Sequence, residues 1–428
     1  MVILGVTVLL LILIFSGIPI AVGMGLTTVI SFIFLGKPEM LTMVAQRMYA
    51  STTSFTLLAI PFFIFTGNLM NTGGITKRIF SLAKAIVGHI PGGLGQVNVV
   101  ASMIFAGMSG SAVADATGLG LIEIKAMTEG GYDRKFSAAI TAVSSTIGPV
   151  IPPSISFVIY GSLTGVSVGR LFLAGFTPGI AMGIALMIVV YFISIKRHYP
   201  KEQRSTFKEL FICAKDSFLA LTMPIFIIGG ILMGLFTPTE ASVSSSVYAL
   251  FIGLVVFKEI KIKDLPSIIW TTINQSVVVL FVISAAGFFG YLLIYEKIPE
   301  KIIMYLINFG SSPNMVLLLI IFILLVLGCF IEGIAITMIT LPIFMPIIYK
   351  FGIDPVHFGV VNTLAHMIGL VTPPVGMCLY AVSSISEIPI DALFKEMIPY
   401  IIGLFVVLLL FTYIPFLSLW LPNLLMGK

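Results

Sequence analysis

The chain has 428 residues, of which 58% are hydrophobic and 10% charged, and its formal net charge is +5. A soluble protein of this size carries roughly a quarter charged residues to cover its surface, so a soluble globular class is excluded. Its apolar residues run in long continuous blocks rather than short alternating segments, which excludes a transmembrane barrel and points to helices that cross a bilayer.

The first sixteen residues hold no Lys or Arg and run straight into further apolar sequence, so they read as a retained helix rather than a cleaved leader. Full spans are predicted near 2–15, 18–35, 55–72, 136–164, 171–195, 217–236, 240–257, 267–293, 357–386 and 398–422, with amphipathic surface helices near 76–90 and 298–309. Two further apolar stretches, 93–122 and 314–348, hold small or polar residues at their middle, Gly107 to Gly118 and Gly328 to Thr337, and each is followed by a charged segment. Both read as re-entrant hairpins that enter and leave on one side. With the N-terminus outside, this arrangement leaves 16 Lys and Arg in the inner loops and 7 in the outer ones. The positive-inside rule then places both termini outside. The basic balance, with a pI near 9.0, follows from inner loops facing anionic lipid rather than from nucleic-acid binding. Cys213, Cys329 and Cys378 are odd in number and lie in or beside apolar segments, so no disulfide framework or metal cluster is implied.

Two stretches 221 positions apart carry one unusual text: Ile147-Gly148-Pro149-Val150-Ile151-Pro152-Pro153 and Ile368-Gly369-Leu370-Val371-Thr372-Pro373-Pro374. Proline removes a backbone donor and clashes with the preceding turn, so each should unwind a membrane-spanning helix. At the same offset Phe105-Ala106-Gly107 matches Val326-Leu327-Gly328, Ser162 matches Ser383, and Pro178 matches Pro399. The expected organisation is scaffold helices over 1–54, a first repeat over 55–195 and a second over 267–422. The first repeat contains hairpin 93–122 and broken helix 136–164, and the second contains hairpin 314–348 and broken helix 357–386. Between them, 196–266 holds a basic linker and two scaffold helices turning at Thr237-Pro238-Thr239-Glu240. Because the hairpins enter from opposite sides, the fold class is an all-α polytopic membrane protein with inverted repeats.

Where a helix unwinds inside a membrane its carbonyls lose their partners, while new helix N-termini present free N–H groups and partial positive charge. Carbonyls and hydroxyls suit a small hard cation such as Na⁺, and N-termini suit a carboxylate. The expected Na⁺ ligands are Ser111, Asp115, Ser145, Thr146 and Gly148 in the first repeat, and Gly328, Glu332, Thr337, Gly369 and Thr372 in the second. Two or more ions are expected. An organic anion is expected between the tips, near Ser109, Gly110, Ser111, Gly333, Pro149 and Pro373. Each assignment has a plainer alternative. Ser109, Gly110 and Ser111 could serve close helix packing. Asp115 and Glu332 could cap the returning half-helices. His366, before the second break, reads as a core histidine more readily than a proton relay, and Arg170 as an interfacial anchor. Pro342 and Pro346 read as shaping the second hairpin's returning arm.

The runs GMSGSAVADATG, IGPVIPPS, GCFIEGIAITMITLPIFMPI and IGLVTPPVGMCLY, together with the opening Gly17-Ile18-Pro19, resemble the large membrane subunit of tripartite ATP-independent periplasmic (TRAP) transporters over almost the whole chain. The resemblance implies a sodium-driven importer of organic acids, of the sialic acid or C4-dicarboxylate class, in a bacterial inner membrane. It implies an elevator-type ion-transporter architecture, a small four-helix membrane subunit and a periplasmic substrate-binding protein. A stand-alone Na⁺/anion symporter or an exporter is the alternative. An enzyme is disfavoured because none of the four histidines stands in an HExxH-type spacing, and a primary pump because no GxxxxGK[ST] loop is present.

Overall fold

The protein is described here by a computed structural model covering residues 2–308 and 312–427, with the side chains of residues 2–4 and 107–109 outside what is described. Among the described residues every regular element is a helix. An apolar pair, α1 (Val2–Phe15) and α2 (Ile20–Phe34), turns through Gly17, whose φ of +81° only glycine adopts readily. A 3₁₀ turn over Pro38–Met43 leads into the short α3 (Val44–Ala50), so the predicted outer segment is partly helical. Next come α4 (Ala59–Thr72), α5 (Ile75–Val87), α6 (Gly93–Ser109) and α7 (Ala112–Glu129). The first broken helix is α8 (Arg134–Ser144), a 3₁₀ turn over Ser145–Ile147, and α9 (Ile155–Thr164), followed by α10 (Val168–Arg197).

The linker opens into α11 (Phe207–Leu232) and α12 (Pro238–Phe251). Helix α11 starts ten residues before its predicted span because Thr206 and Glu209 form a capping box, the Thr206 hydroxyl accepting from Glu209 N at 3.3 Å while Thr206 N donates to the Glu209 carboxylate at 2.7 Å. Thr237 and Glu240 repeat the device at α12, where a turn was expected. The second half contains α13 (Leu265–Tyr295), α14 (Ile298–Asn308), α15 (Pro313–Gly328), α16 (Gly333–Lys350), α17 (Pro355–Gly369), α18 (Met377–Ser386), α19 (Ile390–Tyr413) and α20 (Phe416–Met426). The predicted surface helix near 298–309 thus ends at Asn308, and position 309 lies outside the described residues. The predicted last span, 398–422, is two helices, because the chain leaves helical geometry at Ile414 and restarts after Pro415. Helix α16 continues through both Pro342 and Pro346.

Among the described residues seven helices are long and apolar enough to cross a membrane, and several shorter apolar helices accompany them, so the chain is a multi-pass membrane protein. The textual offset extends to helix boundaries: α7 and α16 begin at 112 and 333, α8 and α17 at 134 and 355. Both breaks contain a cis Pro-Pro bond, at Pro152-Pro153 and Pro373-Pro374. The two halves also interlock. Helix α18 packs on α7 and α8, and α9 packs on α16, so each half-helix beyond a break rests on the other repeat's hairpin. Helices α2, α3 and α4 pack on α13, and α12 packs on α4. The long α10 lies against α6, α17, α19 and α20. Arg170, expected as a lipid anchor, instead donates to Gly427 O at 2.7 Å and Asn423 Oδ1 at 2.6 Å, clamping the C-terminal segment.

Helix α10 passes the first break so closely that a β-carbon on Gly175 would collide with the Val150 carbonyl and the Phe157 ring. One on Gly183 would meet only the flexible end of Met103. Gly175→Ala should therefore cost about 2 kcal/mol, and Gly183→Ala well under ~1 kcal/mol. Thermal unfolding of the purified variants checks the difference, and equal melting temperatures would contradict this packing.

Candidate functional site

In an α-helix each N–H bonds the carbonyl four residues earlier. Prolines at 149, 152 and 153 therefore strip the carbonyls of Ser145, Gly148 and Pro149 of their partners, and prolines at 373 and 374 do the same to Gly369 and Leu370. Most of these find substitutes. Gly148 N donates to Ser145 O at 3.1 Å, the Ser154 hydroxyl donates to Pro149 O, Thr372 N donates to Gly369 O at 2.9 Å, and Cys378 N donates to Leu370 O at 3.0 Å. Among the described residues no donor reaches the Gly148 carbonyl. The first break is buried throughout, whereas Pro374 and Val375 of the second are exposed.

Each hairpin tip seats on its own break. Gly110, at φ +62°, lies so near that a β-carbon there would stand 3.3 Å from Ile155 N. The Asp115 carboxylate rests against Gly148, where a β-carbon would be 2.5 Å from Oδ2. In the second half Gly328 and Gly369 meet backbone to backbone, a β-carbon on Gly369 falling 2.5 Å from the Gly328 Cα. Val375 N and Gly376 N donate to Cys329 O at 3.2 and 2.8 Å. The buried His366 ring is pressed against Gly333.

The two tips then converge. Ser111 is the N-cap of α7, its hydroxyl accepting from Ala114 N at 3.4 Å, and Glu332 holds the equivalent N-cap position of α16, 221 residues on. Ser111, Ala114 and Asp115 from one tip and Glu332 and Ile334 from the other line a single cavity of about 310 Å³. Its opposite wall is Asn68 and Asn71 of α4 and Gln275 of α13. Asn68 Nδ2 donates to Thr272 Oγ1 and Gln275 Oε1, both at 3.0 Å, which ties the two wall helices together. Two helix N-termini with their partial positive charge thus face one space that also presents amides, a hydroxyl and two carboxylates. The three amides were missed in the sequence. Their signal was an amide side chain inside an otherwise apolar span, at Asn68, Asn71 and Gln275.

The expected residues divide into three groups. Ser111, Asp115 and Glu332 line the cavity, and Gly110, Gly148, Gly328, Gly333 and Gly369 make the tip–break contacts. Ser145, Thr146, Thr337 and Thr372 donate to their own helices, to Ala142 O, Val143 O, Gly333 O and Ile368 O at 2.8, 2.6, 2.9 and 2.8 Å. Their oxygens keep lone pairs but do not line the cavity. Neither do Pro149, fully buried with its carbonyl taken, and Pro373. The Ser109 side chain lies outside what is described.

A buried polar network supports the first break from beneath. Asn98 Nδ2 donates to Glu123 Oε2 at 2.7 Å and Thr141 Oγ1 at 2.8 Å. Ser144 Oγ donates to Asn98 Oδ1 at 2.7 Å and accepts from Ser102 Oγ at 3.1 Å. The network joins α6, α7 and α8 one residue short of the 3₁₀ turn, so it fixes where unwinding starts.

The chain matches the family model "Tripartite ATP-independent periplasmic transporter, DctM component" over residues 7–417. It is 44% identical over 415 residues to the sialic acid TRAP transporter large permease protein SiaM of Vibrio cholerae, with 97% of each chain covered. It is 41% identical to the sialic acid TRAP transporter permease protein SiaT of Haemophilus influenzae, over 97% of this chain and 67% of that one. The C4-dicarboxylate TRAP transporter large permease protein DctM of Pseudomonas aeruginosa is 39% identical, over 91% and 92%. Among solved structures the YdaH transporter of Alcanivorax borkumensis overlays with a TM-score of 0.58 at 15% identity, covering 89% of this chain and 87% of that one. That last likeness concerns the fold alone.

Removing the hub of the buried network leaves several groups without partners at once. Asn98→Leu should destabilise by about 3 kcal/mol and Ser102→Ala, at the network's end, by about 1 kcal/mol, because stranding a buried donor or acceptor costs ~1–3 kcal/mol. Thermal melts of the purified variants rank the two.

Proposed function

The chain belongs to the DctM-component family of tripartite ATP-independent periplasmic transporters, and from that premise we propose that it carries an organic acid across the bacterial inner membrane together with Na⁺. As a family member it is a transport permease and not an enzyme. One observation carries the mechanistic reading: two hairpin tips, each starting a returning helix, front the same cavity from matched positions.

In this reading the substrate carboxylate lies against the N–H groups that open α7 and α16, at Gly110 to Ala114 and Gly333, where helix dipoles favour negative charge. Asn68, Asn71 and Gln275 meet its hydroxyl or amide groups. The first Na⁺ sits between tip and break, held by the Asp115 carboxylate and the donor-free Gly148 carbonyl, with Ser111, Ser145 and Thr146 nearby in sequence. The second lies at the Gly328–Gly369 crossing, with Glu332, Thr337 and Thr372 contributing oxygens. A cation bound between tip and break orders the tip and thereby sets the N–H groups for the carboxylate. Each ligand then raises the other's affinity by the same factor.

The relatives named for sialic acid, at 44% and 41% identity, favour a sialic acid over a C4-dicarboxylate as the substrate. The family supports a small membrane subunit and a periplasmic binding protein as partners, with lipid around the apolar faces, and the 16-to-7 split of Lys and Arg favours both termini in the periplasm. The resemblance also implies an elevator-like movement of the hairpin-bearing part against a scaffold. The geometry suits this division with α4 and α13, the first helix of each repeat, on the scaffold side, since the cavity lies between the tips and the α4–α13 wall.

Uptake of radiolabelled N-acetylneuraminate or succinate into proteoliposomes, with small subunit and binding protein present, tests the proposal. One of the two acids should enter only with an inward Na⁺ gradient, and Asp115→Asn should raise the Na⁺ concentration for half-maximal uptake at least about tenfold, the equivalent of ~1.4 kcal/mol. Uptake indifferent to Na⁺ would overturn sodium coupling. Uptake by this chain without a binding protein would replace the tripartite reading with a stand-alone symporter.

A further inference from the structure

A second cavity, of about 660 Å³, lies between α3, α9, α13 and α16, apart from the one between the tips. Both cavities use α13 as a wall. The tip cavity takes Gln275, Val278 and Val279, and the larger one takes Ile283, Ala286, Gly287, Gly290, Tyr291 and Ile294. At 1.5 Å per residue their centres are roughly 17 Å apart along that helix.

The larger cavity has one charged lining residue, Arg47 of α3. Its guanidinium lies over the Tyr291 ring, 4.3 Å from the centroid. Stacking uses the face of the guanidinium and leaves the N–H groups at its edge unspent. Among the described residues Arg47 has no ion pair, and no acceptor takes a hydrogen bond from its side chain. Such a fork, held in place by an aromatic ring and facing a cavity without a carboxylate, suits a bidentate carboxylate. Hydroxyls of Ser51, Ser54, Ser162 and Tyr349 and apolar groups of Met338 and Met345 complete a lining suited to a hydroxylated organic body. The Ser162 hydroxyl donates to Ser54 Oγ at 3.0 Å, which bridges α9 to the segment preceding α4 at the cavity's rim.

We infer that this cavity is an anion vestibule in which Arg47 holds an organic carboxylate on the same α13 wall that leads to the tips. The choice of an organic acid rests on the transport reading, but the test does not, since it needs neither a sodium gradient nor uptake. In protein reconstituted in nanodiscs of neutral lipid, Ser51→Cys places a thiol one turn from Arg47. Its labelling rates with 2-sulfonatoethyl and 2-(trimethylammonio)ethyl methanethiosulfonate are compared after subtracting labelling of the unaltered protein. Adding Arg47→Gln should lower the anionic-to-cationic rate ratio about fivefold, whereas Arg47→Lys should preserve it. Millimolar N-acetylneuraminate or succinate should slow anionic labelling when Arg47 is present and not with Gln. A ratio indifferent to Arg47→Gln overturns the vestibule. Protection by inorganic phosphate and by neither carboxylate overturns it as well, because it assigns the cavity to phosphate-bearing lipid headgroups.

Discussion

A polar backbone group inside a bilayer has no water to turn to, and the five prolines in the two breaks deny five carbonyls their helical partners. The rest of the architecture follows from how those carbonyls are accommodated. At the first break the remedy is enclosure: the segment is buried throughout, and α10 comes close enough that only glycine fits at position 175. At the second break the remedy is pairing, Gly369 O accepting from Thr372 N and Leu370 O from Cys378 N, while Cys329 O of the hairpin tip accepts from Val375 N and Gly376 N. In each half a hairpin tip also seats against its break, and the candidate site grows from that contact. Of those five carbonyls, the one that no donor among the described residues reaches, at Gly148, stands beside the Asp115 carboxylate.

The interlock between halves gives those local contacts a longer reach. Helix α9 rests on α16 and α18 on α7, so a change at one tip is felt by the half-helix beyond the other break. Coupling between an ion and an anion bound at different places needs such a shared element. The buried network around Asn98 adds stiffness where α8 stops being an α-helix. Rigid ends and one open carbonyl make a better cation site than a loop that wanders.

Much of this was legible in the residues themselves. Proline and glycine act on the backbone locally, so the two breaks, the tips and the 221-residue offset could be read without a fold, and the helix starts at 112 and 333 keep that offset. Side-chain direction could not be read in this way. Ser145, Thr146, Thr337 and Thr372 are hydroxyls at the right sequence positions, yet each donates to its own preceding turn, a habit of Ser and Thr in helices that spacing does not reveal. The amide wall of Asn68, Asn71 and Gln275 escaped notice because it forms only when α4 meets α13 across about two hundred residues. The capping boxes that start α11 and α12 were written plainly as Thr-x-x-Glu, but Thr206 stands within the basic linker and Thr237 at the turn between two spans, so neither read as a helix start. Arg170 was assigned to lipid because its partners, Asn423 and Gly427, lie at the far end of the chain.

The two breaks share their text and their offset but not their burial. Copies of one segment start out interchangeable, and so long as they stay so, neither can specialise. Here one is sealed masonry and the other stands open at the protein surface, with Val375 40% exposed. Transplanting either motif into the other's place would import the wrong degree of enclosure, so the twins share an alphabet but have ceased to be spare parts for one another.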